Sequence, residues 1–337
     1  MRYAFMHQIE LHDAAFSCAW GPCAIHMCLT ILGLQSARFC ARRTYFWLGP
    51  LDSDLHPYAK FWLSHILPQF SKHKVSFLEM SSLKGVQSVQ FESVMFFLKG
   101  RHHGPCQMGY AVPNFWCIQQ WKRARDRVFE LLSMPFGPAV YKKRCTSIPE
   151  RNLKVKIIQR GNSASGSGTR TFQNLDQELQ NPILQGTYFD IEQVHLGKLT
   201  AKDQLAAMST ADIVVGFHGA GLIGGLFMNE GASLIQIIPA HMCAWQQYEF
   251  LNIATYSGAV PFTHCVPNRL VKERPEGEAE RRQAADQEFS DKEAAMHFQK
   301  YLYNVESVLL TAMQLKTILS QSRIAMISGC HNYLEMH

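Results

Sequence analysis

The sequence lacks the patterns that mark metal-binding and nucleic-acid-binding proteins. Its ten cysteines stand at irregular spacings and include no Cys-x-x-Cys pair, which argues against a structural metal site. The net charge of +6 is mild, and no stripe of lysine and arginine interleaves with aromatic residues as a nucleic-acid groove would need. A small anionic ligand therefore fits this composition better than DNA or RNA does.

Sequons, cysteines and apolar runs in the sequence do not determine the cellular compartment. No Asn-x-Ser/Thr sequon occurs, so glycosylation gives no indication. The even number of cysteines fits disulfides in an oxidising compartment and equally fits buried free thiols. Residues 14–34 form an apolar run that Pro22 interrupts and that positive charges follow. This run is a membrane anchor, a buried N-terminal helix or an artefact of where the chain starts.

The chain is long enough, at 337 residues with 47% hydrophobic side chains, for two domains. Prolines cluster in residues 134–149, so we predict an N-terminal domain over residues 1–150 and a second domain over residues 151–270. Residues 271–295 are densely charged and are expected to form a flexible insert. Apolar residues three or four apart from Phe298 to Met313 predict a C-terminal helix within residues 296–337 that packs on the fold.

The sequence of the second domain predicts strands that alternate with helices. The pattern predicts strands over residues 155–158, 187–194, 213–216 and 234–238, and helices over residues 172–179 and 202–208. This alternation is typical of a parallel sheet with helices on both faces. Upstream, apolar spacing predicts a helix over residues 118–132. Its basic residues are expected to face solvent: Lys122, Arg123, Arg125 and Arg127.

The strongest functional pattern lies in residues 211–239. An apolar strand runs into His218-Gly219-Ala220-Gly221, a short apolar helix follows, and a second buried strand ends at Pro239. A strand that leads through glycines into a helix presents free backbone N–H groups and the positive end of the helix dipole. This arrangement favours a bound phosphate.

Two other phosphate-binding motifs are rivals for this reading. Residues 219–224 satisfy the G-x-G-x-x-G fingerprint of a Rossmann NAD(P)-dependent oxidoreductase, but the motif falls late in the domain and Gln236 stands where an acid would hold the ribose. Residues 161–168 resemble a P-loop without its lysine, which argues against nucleotide triphosphate hydrolysis. Arg160 and Arg170, which bracket that loop, could instead clamp a diphosphate.

These residues together resemble glycosyltransferase family 61. The resemblance rests on Arg160 at a strand end, Arg170 with Asn174 four residues later, the run Leu-Thr-Ala-Lys-Asp-Gln at residues 199–204, and His-Gly-Ala-Gly-Leu at residues 218–222. It extends over about residues 153–240. The His-Gly-Ala-Gly-Leu core in its strand-turn-helix context is more specific than a bare glycine motif.

The resemblance implies an α/β fold of the GT-B type, with two Rossmann-like domains facing across a cleft. It also implies inverting transfer of GlcNAc or a pentose from a UDP-sugar to a hydroxyl of a protein or glycan acceptor, in the Golgi or endoplasmic reticulum. Neither a metal nor another cofactor is expected, so arginines and backbone amides must neutralise the leaving diphosphate. The residues expected to bind the donor are Arg160, Arg170, Asn174, His218, Gly219, Ala220, Gly221, Leu222 and Gln236.

Inverting transfer also needs a base, and the resemblance places it in the N-terminal domain. Many relatives carry a histidine, an acid and then Leu-Pro there. The nearest match is residues 61–68, where the expected histidine is Phe61 and the acid becomes Ser64 or His65. His65 is the candidate base, and a structural histidine is the alternative. Because this half departs most from the family pattern, a descendant that binds the donor without transferring sugar is a further hypothesis. Gln236 stands where many relatives have Glu, and an amide can still form a hydrogen bond there.

Overall fold

A computed structural model describes most of the chain beyond residue 114 and three short pieces before it. The described residues are 44–47, 61, 75–78, 115–148, 150–159, 170–245, 248–285, 297, 301–302 and 304–336. The chain divides into two compact units, Met1–Gly104 and Pro105–His337. No helix within the described residues is both long and apolar enough to cross a membrane, and the apolar run at residues 14–34 lies outside them.

The described strands of the first unit form a parallel pair. β1 (Thr44–Trp47) pairs with β2 (Val75–Leu78), with Thr44 opposite Val75 and Trp47 opposite Leu78. Parallel strands cannot be joined by a tight hairpin, because the chain must return to the same end of the sheet before the second strand begins. Parallel pairing is therefore typical of a unit in which a crossover joins two strands.

The second unit is built on a five-stranded parallel sheet. Its strands, in order across the sheet, are β5 (Phe189–His195), β3 (Leu153–Gln159), β6 (Ile213–Phe217), β7 (Ser233–Pro239) and β8 (Val260–Val266). Every residue of β6 and β7 is buried, whereas exposure alternates along the edge strands β5 and β8. Continuous apolar runs are typical of strands covered on both faces. The predicted parallel α/β sheet is confirmed.

Helices cover both faces of this sheet. One face carries α1 (Phe115–Leu131), α4 (Ala201–Thr210), α5 (Tyr248–Ser257) and the 3₁₀ helix Ala220–Phe227, and the other carries α2 (Pro138–Ser147) and α7 (Ala312–Met336). The side chains of the central strands divide between two cores, because successive residues of a strand point to opposite faces. Val215 and Ile237 belong to the core under α7, together with Leu315 and Leu319.

A smaller sheet differs from what the sequence pattern predicts. β4 (Thr171–Gln173) precedes the short helix α3 (Leu175–Leu179), so the predicted helix over residues 172–179 is wrong in its first part. β4 pairs in parallel with β10 (Val305–Leu309), which also pairs antiparallel with β9 (Val271–Glu273). Pairing between segments more than 100 residues apart overrides local helical spacing here.

A strand interrupts the predicted C-terminal helix. Within residues 298–313 the apolar spacing predicts helix, and residues 301, 302 and 304 are helical, but β10 occupies residues 305–309 and α7 begins at Ala312. Val305 and Val308 are β-branched residues that favour extended backbone, and both are buried in the sheet. Met313, predicted to pack on the fold, is 58% exposed.

The charged segment after residue 270 is ordered over its described part. Residues 271–285 contain β9 and α6 (Pro275–Ala285) in place of the expected flexible insert. Glu273 accepts hydrogen bonds from Arg281 Nε (3.1 Å) and from the Tyr301 hydroxyl (2.5 Å). A buried carboxylate needs hydrogen-bond partners. The bonds that Glu273 accepts therefore hold β9 to α6 and to Tyr301.

The boundary expected near residue 150 falls inside the second unit. Cys145 in α2 forms a disulfide with Cys330 in α7. Arg144 lies 3.6 Å from Asp212, the residue before β6, and Asp212 also forms a two-point ion pair with Arg151 (2.6 and 2.7 Å). These contacts tie the segment before residue 150 to the sheet.

A second disulfide and one buried arginine add to the contacts of this unit. Cys243 and Cys265 are bonded to each other. Arg125 in α1 was expected to face solvent, but it is 3% exposed and donates to the carbonyl oxygens of Met228 (3.2 Å) and Ser257. A guanidinium can satisfy several carbonyls at once, which compensates the cost of burying its charge.

Candidate functional site

The carboxyl ends of β3 and β6 form the topological switch point of the sheet. Counted from the first strand of this unit, the strand order is 2-1-3-4-5, so β3 and β6 are neighbours whose following connections leave towards opposite edges. A crevice opens between two such connections, and it is where doubly wound α/β proteins bind their ligands. The glycine turn follows β6, and Arg170 follows β3.

Two glycines shape the end of β6 and the turn that follows it. A Cβ atom on Gly216, within β6, would come within 2.5 Å of Leu222 Cδ2, so any other residue would displace the Leu222 side chain that packs the 3₁₀ helix on the strand. Gly219 has φ +142° and ψ −175°, a conformation that is essentially restricted to glycine. The predicted apolar helix is thus present, but it is 3₁₀ in form and begins directly after Gly219.

The start of this 3₁₀ helix offers backbone donors to a ligand. Its first turn is closed by a hydrogen bond from Leu222 N to Gly219 O (2.9 Å). The amides of Ala220 and Gly221 precede that bond and, by the geometry of a helix start, have no acceptor within the turn. Leu222 itself is completely buried against Gly216, so it can serve the site through its backbone and its packing.

Arg170 reaches the same turn from the connection after β3. Its Nη1 donates to the carbonyl oxygen of His218 (3.0 Å), and its φ of +26° lies in the left-handed region. The side chain of Gln159, the last residue of β3, exchanges two hydrogen bonds with the main chain of Phe172 (3.1 and 3.3 Å). These bonds hold the start of β4 at the end of β3. Arg170 is therefore fixed at the switch point, and a guanidinium with five N–H donors can contact a carbonyl and a phosphate together.

His218 is buried beneath the turn. Its Nδ1 lies 2.7 Å from Oε1 of Gln236, and Nε2 of Gln236 donates to the hydroxyl of Thr263 (3.2 Å). The ring stands edge-on to Phe250, with 4.7 Å between ring centroids. Nδ1 therefore faces β7, and a phosphate contact from this side chain would have to use Nε2. Gln236, expected to bind the donor, lies behind the histidine, and its described hydrogen bonds are with His218 and Thr263.

The remaining predicted residues are not brought to the turn by any described contact. Asn174 is exposed, at the residue before α3, and its φ of +49° places it in the left-handed region. No hydrogen bond within the described part of the chain joins Asn174 to Arg170 or His218. Arg160 and His65 lie outside the described residues.

Sequence reasoning assigned no role to Gln159 or Thr263, which support Arg170 and Gln236 respectively. Gln159 is a polar residue at the carboxyl end of its strand, and that position is the signal that could have drawn attention to it, whereas Thr263 lies in the middle of β8 and gives no such signal. His195 ends β5 directly opposite Gln159 and so adds a titratable group to the same edge of the sheet. Gln159 becomes a neighbour of His195, and Thr263 a neighbour of Gln236, only once the strand order and register are known.

The arrangement is suited to binding an anion. It combines one guanidinium with the amides of a glycine turn, at an edge where strands and a helix start converge. Among the described residues, no three His, Cys, Asp or Glu side chains are grouped closely enough to hold a metal ion.

A parallel α/β sheet with a glycine turn and an arginine at its switch point is an arrangement typical of proteins that bind phosphate-bearing ligands. The family model Glycosyltransferase 61 matches residues 51–235, which is more than half of the chain. The chain belongs to the glycosyltransferase 61 family, and it is a glycosyltransferase. Comparison with curated proteins found no match. The matched range includes His65, Arg160 and the whole glycine turn, and it ends one residue before Gln236.

Proposed function

We propose that this glycosyltransferase transfers a sugar, GlcNAc or a pentose, from a UDP-sugar to a hydroxyl of a protein or glycan acceptor, with inversion at the anomeric carbon. The observation that carries the proposal is the contact between Arg170 and the carbonyl of His218 at the switch point. It sets a fixed positive charge beside the backbone amides of the glycine turn, which is the arrangement that a diphosphate requires.

The proposed reaction breaks one bond and forms one. The acceptor oxygen attacks the anomeric carbon while the bond from that carbon to the diphosphate oxygen breaks, and UDP leaves with the bonding electrons. Negative charge develops on the leaving diphosphate, where Arg170, the amides of Ala220 and Gly221 and, by the sequence pattern, Arg160 would stabilise it. The acceptor proton passes to a base, for which His65 in the first unit is the candidate.

A GT-B architecture is part of the proposal. The second unit has the parallel sheet that such a nucleotide-binding domain needs. The parallel pairing of β1 with β2 supports a second Rossmann-like domain in the first unit, because parallel strands joined by a crossover are the building element of that fold.

A secretory compartment is also proposed. Family membership supports it. The disulfides Cys145–Cys330 and Cys243–Cys265 support it independently, because disulfides persist in oxidising compartments and are rare in the cytosol. The Golgi or endoplasmic reticulum lumen meets this condition.

Thermal melts with nucleotides test the donor class. UDP at about 100 times its dissociation constant should stabilise the protein by roughly 2.7 kcal/mol, whereas NADPH at the same concentration should leave the melting temperature unchanged. NADPH stabilisation without UDP stabilisation would support a dehydrogenase and overturn the proposal. The order of strands already counts against a dehydrogenase, since the glycine turn follows the third strand of the unit.

UDP release from a panel of UDP-sugars, with candidate acceptors, tests transfer itself. His65→Ala should abolish release if His65 is the base, and His331→Ala, an exposed histidine of α7, is the matched control. Equal turnover in wild type and His65→Ala would remove His65 from the mechanism. UDP binding without release from any sugar would favour the descendant that binds the donor and does not transfer it.

A further inference from the structure

We propose that Gln236 is a positioning residue of the donor site: its amide oxygen holds the His218 ring through Nδ1 and thereby fixes the peptide on which Arg170 is oriented. The inference rests on the proposed function, because its consequence is measured as UDP affinity. It goes beyond that function because it assigns Gln236 an indirect role. The Gln236 side chain contacts His218 and acts on the donor through that histidine.

A chain of hydrogen bonds runs across three strands at this site. Thr263 on β8, Gln236 on β7 and His218 at the end of β6 are linked at 3.2 and 2.7 Å. Gln236 is 2% exposed and His218 is 5% exposed, so the bond between these two side chains is shielded from bulk water. A buried hydrogen bond of this kind costs its full desolvation penalty when one partner is removed.

The contact with Gln236 also determines which ring nitrogen of His218 carries the proton. Because the atom that faces Nδ1 is an amide oxygen, which only accepts, Nδ1 carries the proton. An amide bears no charge, so this partner supports a neutral ring. A carboxylate at the same position would favour the charged ring instead.

The main chain of His218 connects the imidazole ring to Arg170. The His218 peptide is held on both sides, because its N–H donates to Ile237 O (2.9 Å) and its carbonyl accepts from Arg170 Nη1. The ring is held by Gln236 and by the edge contact with Phe250. Among the described contacts of His218, the charged partner is Arg170. Its guanidinium donates to the His218 carbonyl oxygen and not to the ring.

Two substitutions of Gln236 separate positioning from packing. Gln236→Leu fills the same buried space without an acceptor and should weaken UDP binding about tenfold, the loss expected for one buried hydrogen bond. Gln236→Glu restores an acceptor at Nδ1, so its UDP affinity should return to within about threefold of wild type. A purely structural role would give the opposite order, because the buried carboxylate would disturb the fold more than leucine does.

Calorimetric titration with UDP, together with NMR titration of the His218 ring, makes the test complete. In Gln236→Glu the ring should titrate at higher pH than in wild type, and in Gln185→Glu, an exposed glutamine of the turn before β5, it should not. Gln236→Leu that binds UDP like wild type, or an unshifted ring in Gln236→Glu, would overturn the inference. If Gln236→Leu fails to fold, the ring titration in Gln236→Glu decides. Absence of UDP binding by the wild type would instead overturn the proposed function, and the ring titration would still test the contact.

Discussion

Replacing Arg170 by alanine and, separately, by glycine separates two contributions of this residue. The side chain donates a charge-assisted hydrogen bond to His218 O (3.0 Å), and the backbone holds a φ of +26°. Alanine removes the side-chain bond and retains a Cβ atom in the left-handed region. Glycine removes the same bond but adopts positive φ without a steric cost.

The magnitudes follow from these two features. Hydrogen bonds to charged groups contribute about 1.5–3 kcal/mol when buried, and partial exposure of Arg170 reduces this to about 1 kcal/mol of folding stability. Left-handed backbone costs a non-glycine residue about 1–2 kcal/mol. We therefore expect Arg170→Ala to lose about 1 kcal/mol and Arg170→Gly to be close to wild type in stability.

UDP affinity should follow a different order. Both variants lack the guanidinium, so both should lose one charge-assisted contact to the diphosphate, which corresponds to a fall of about 10- to 150-fold in affinity. Urea unfolding measures the stability of each variant, and calorimetric titration with UDP measures affinity. Arg282→Ala, at an exposed position of α6, is the control that removes an arginine elsewhere.

Comparison of UDP affinity between the two variants tests whether Arg170 contacts the diphosphate. If UDP affinity recovers in Arg170→Gly along with stability, the arginine acts through the local backbone and does not contact the diphosphate. Unchanged affinity in both variants would place the diphosphate away from the switch point.

Further predictions concern the turn, a disulfide and pH. Gly219→Ala should lower the free energy of unfolding in urea by about 1–3 kcal/mol, because φ +142° is closed to alanine, whereas Gly197→Ala, whose added methyl group would meet nothing within 4 Å, should change it little. Removing the Cys145–Cys330 disulfide, which closes a loop with a sequence separation of 185, should cost about 5 kcal/mol in the chain-entropy limit, measured as a lower melting temperature of Cys330→Ser. Burial lowers the pKa of His264 in the folded protein, so the unfolded chain takes up its proton first as pH falls below about 6.5. Stability present above that pH should therefore decrease on acidification, and this slope should be shallower in His264→Leu; an equal slope would contradict it.

The parts of the fold that were predictable are those with one dominant local signal. The apolar runs of β3, β6 and β7 predicted buried parallel strands because both faces of such strands are covered. The helix α4 was predictable from its spacing, and Thr200 caps its start by accepting from Asp203 N (3.2 Å). The strand β10 was not, because Val305–Leu309 becomes a strand through pairing with β4 and β9, which lie far away in the sequence.

The candidate site shows the same division. The glycines of the turn were recognised because a strand that enters glycines and then a helix has a local meaning. The position of Gln236 behind His218 could not be inferred, because residues opposite each other on adjacent strands depend on register. Arg125 shows the converse error: basic residues on a helix usually face solvent, and its burial is compensated by the carbonyls of Met228 and Ser257 and by the carboxylate of Asp126.

The disulfides impose an order in time on the synthesis of this chain. Cys265 emerges from the ribosome 22 residues after its partner Cys243, whereas Cys330 emerges 185 residues after Cys145. At about 5–20 residues per second, the Cys145 thiol must wait roughly 10–40 s for its partner, while Cys243 waits only a second to a few seconds. During that interval the sheet between them can form, but the core that contains Cys145 also needs residues of α7. Closure of this bond therefore requires that α7 has been synthesised and has packed against α2.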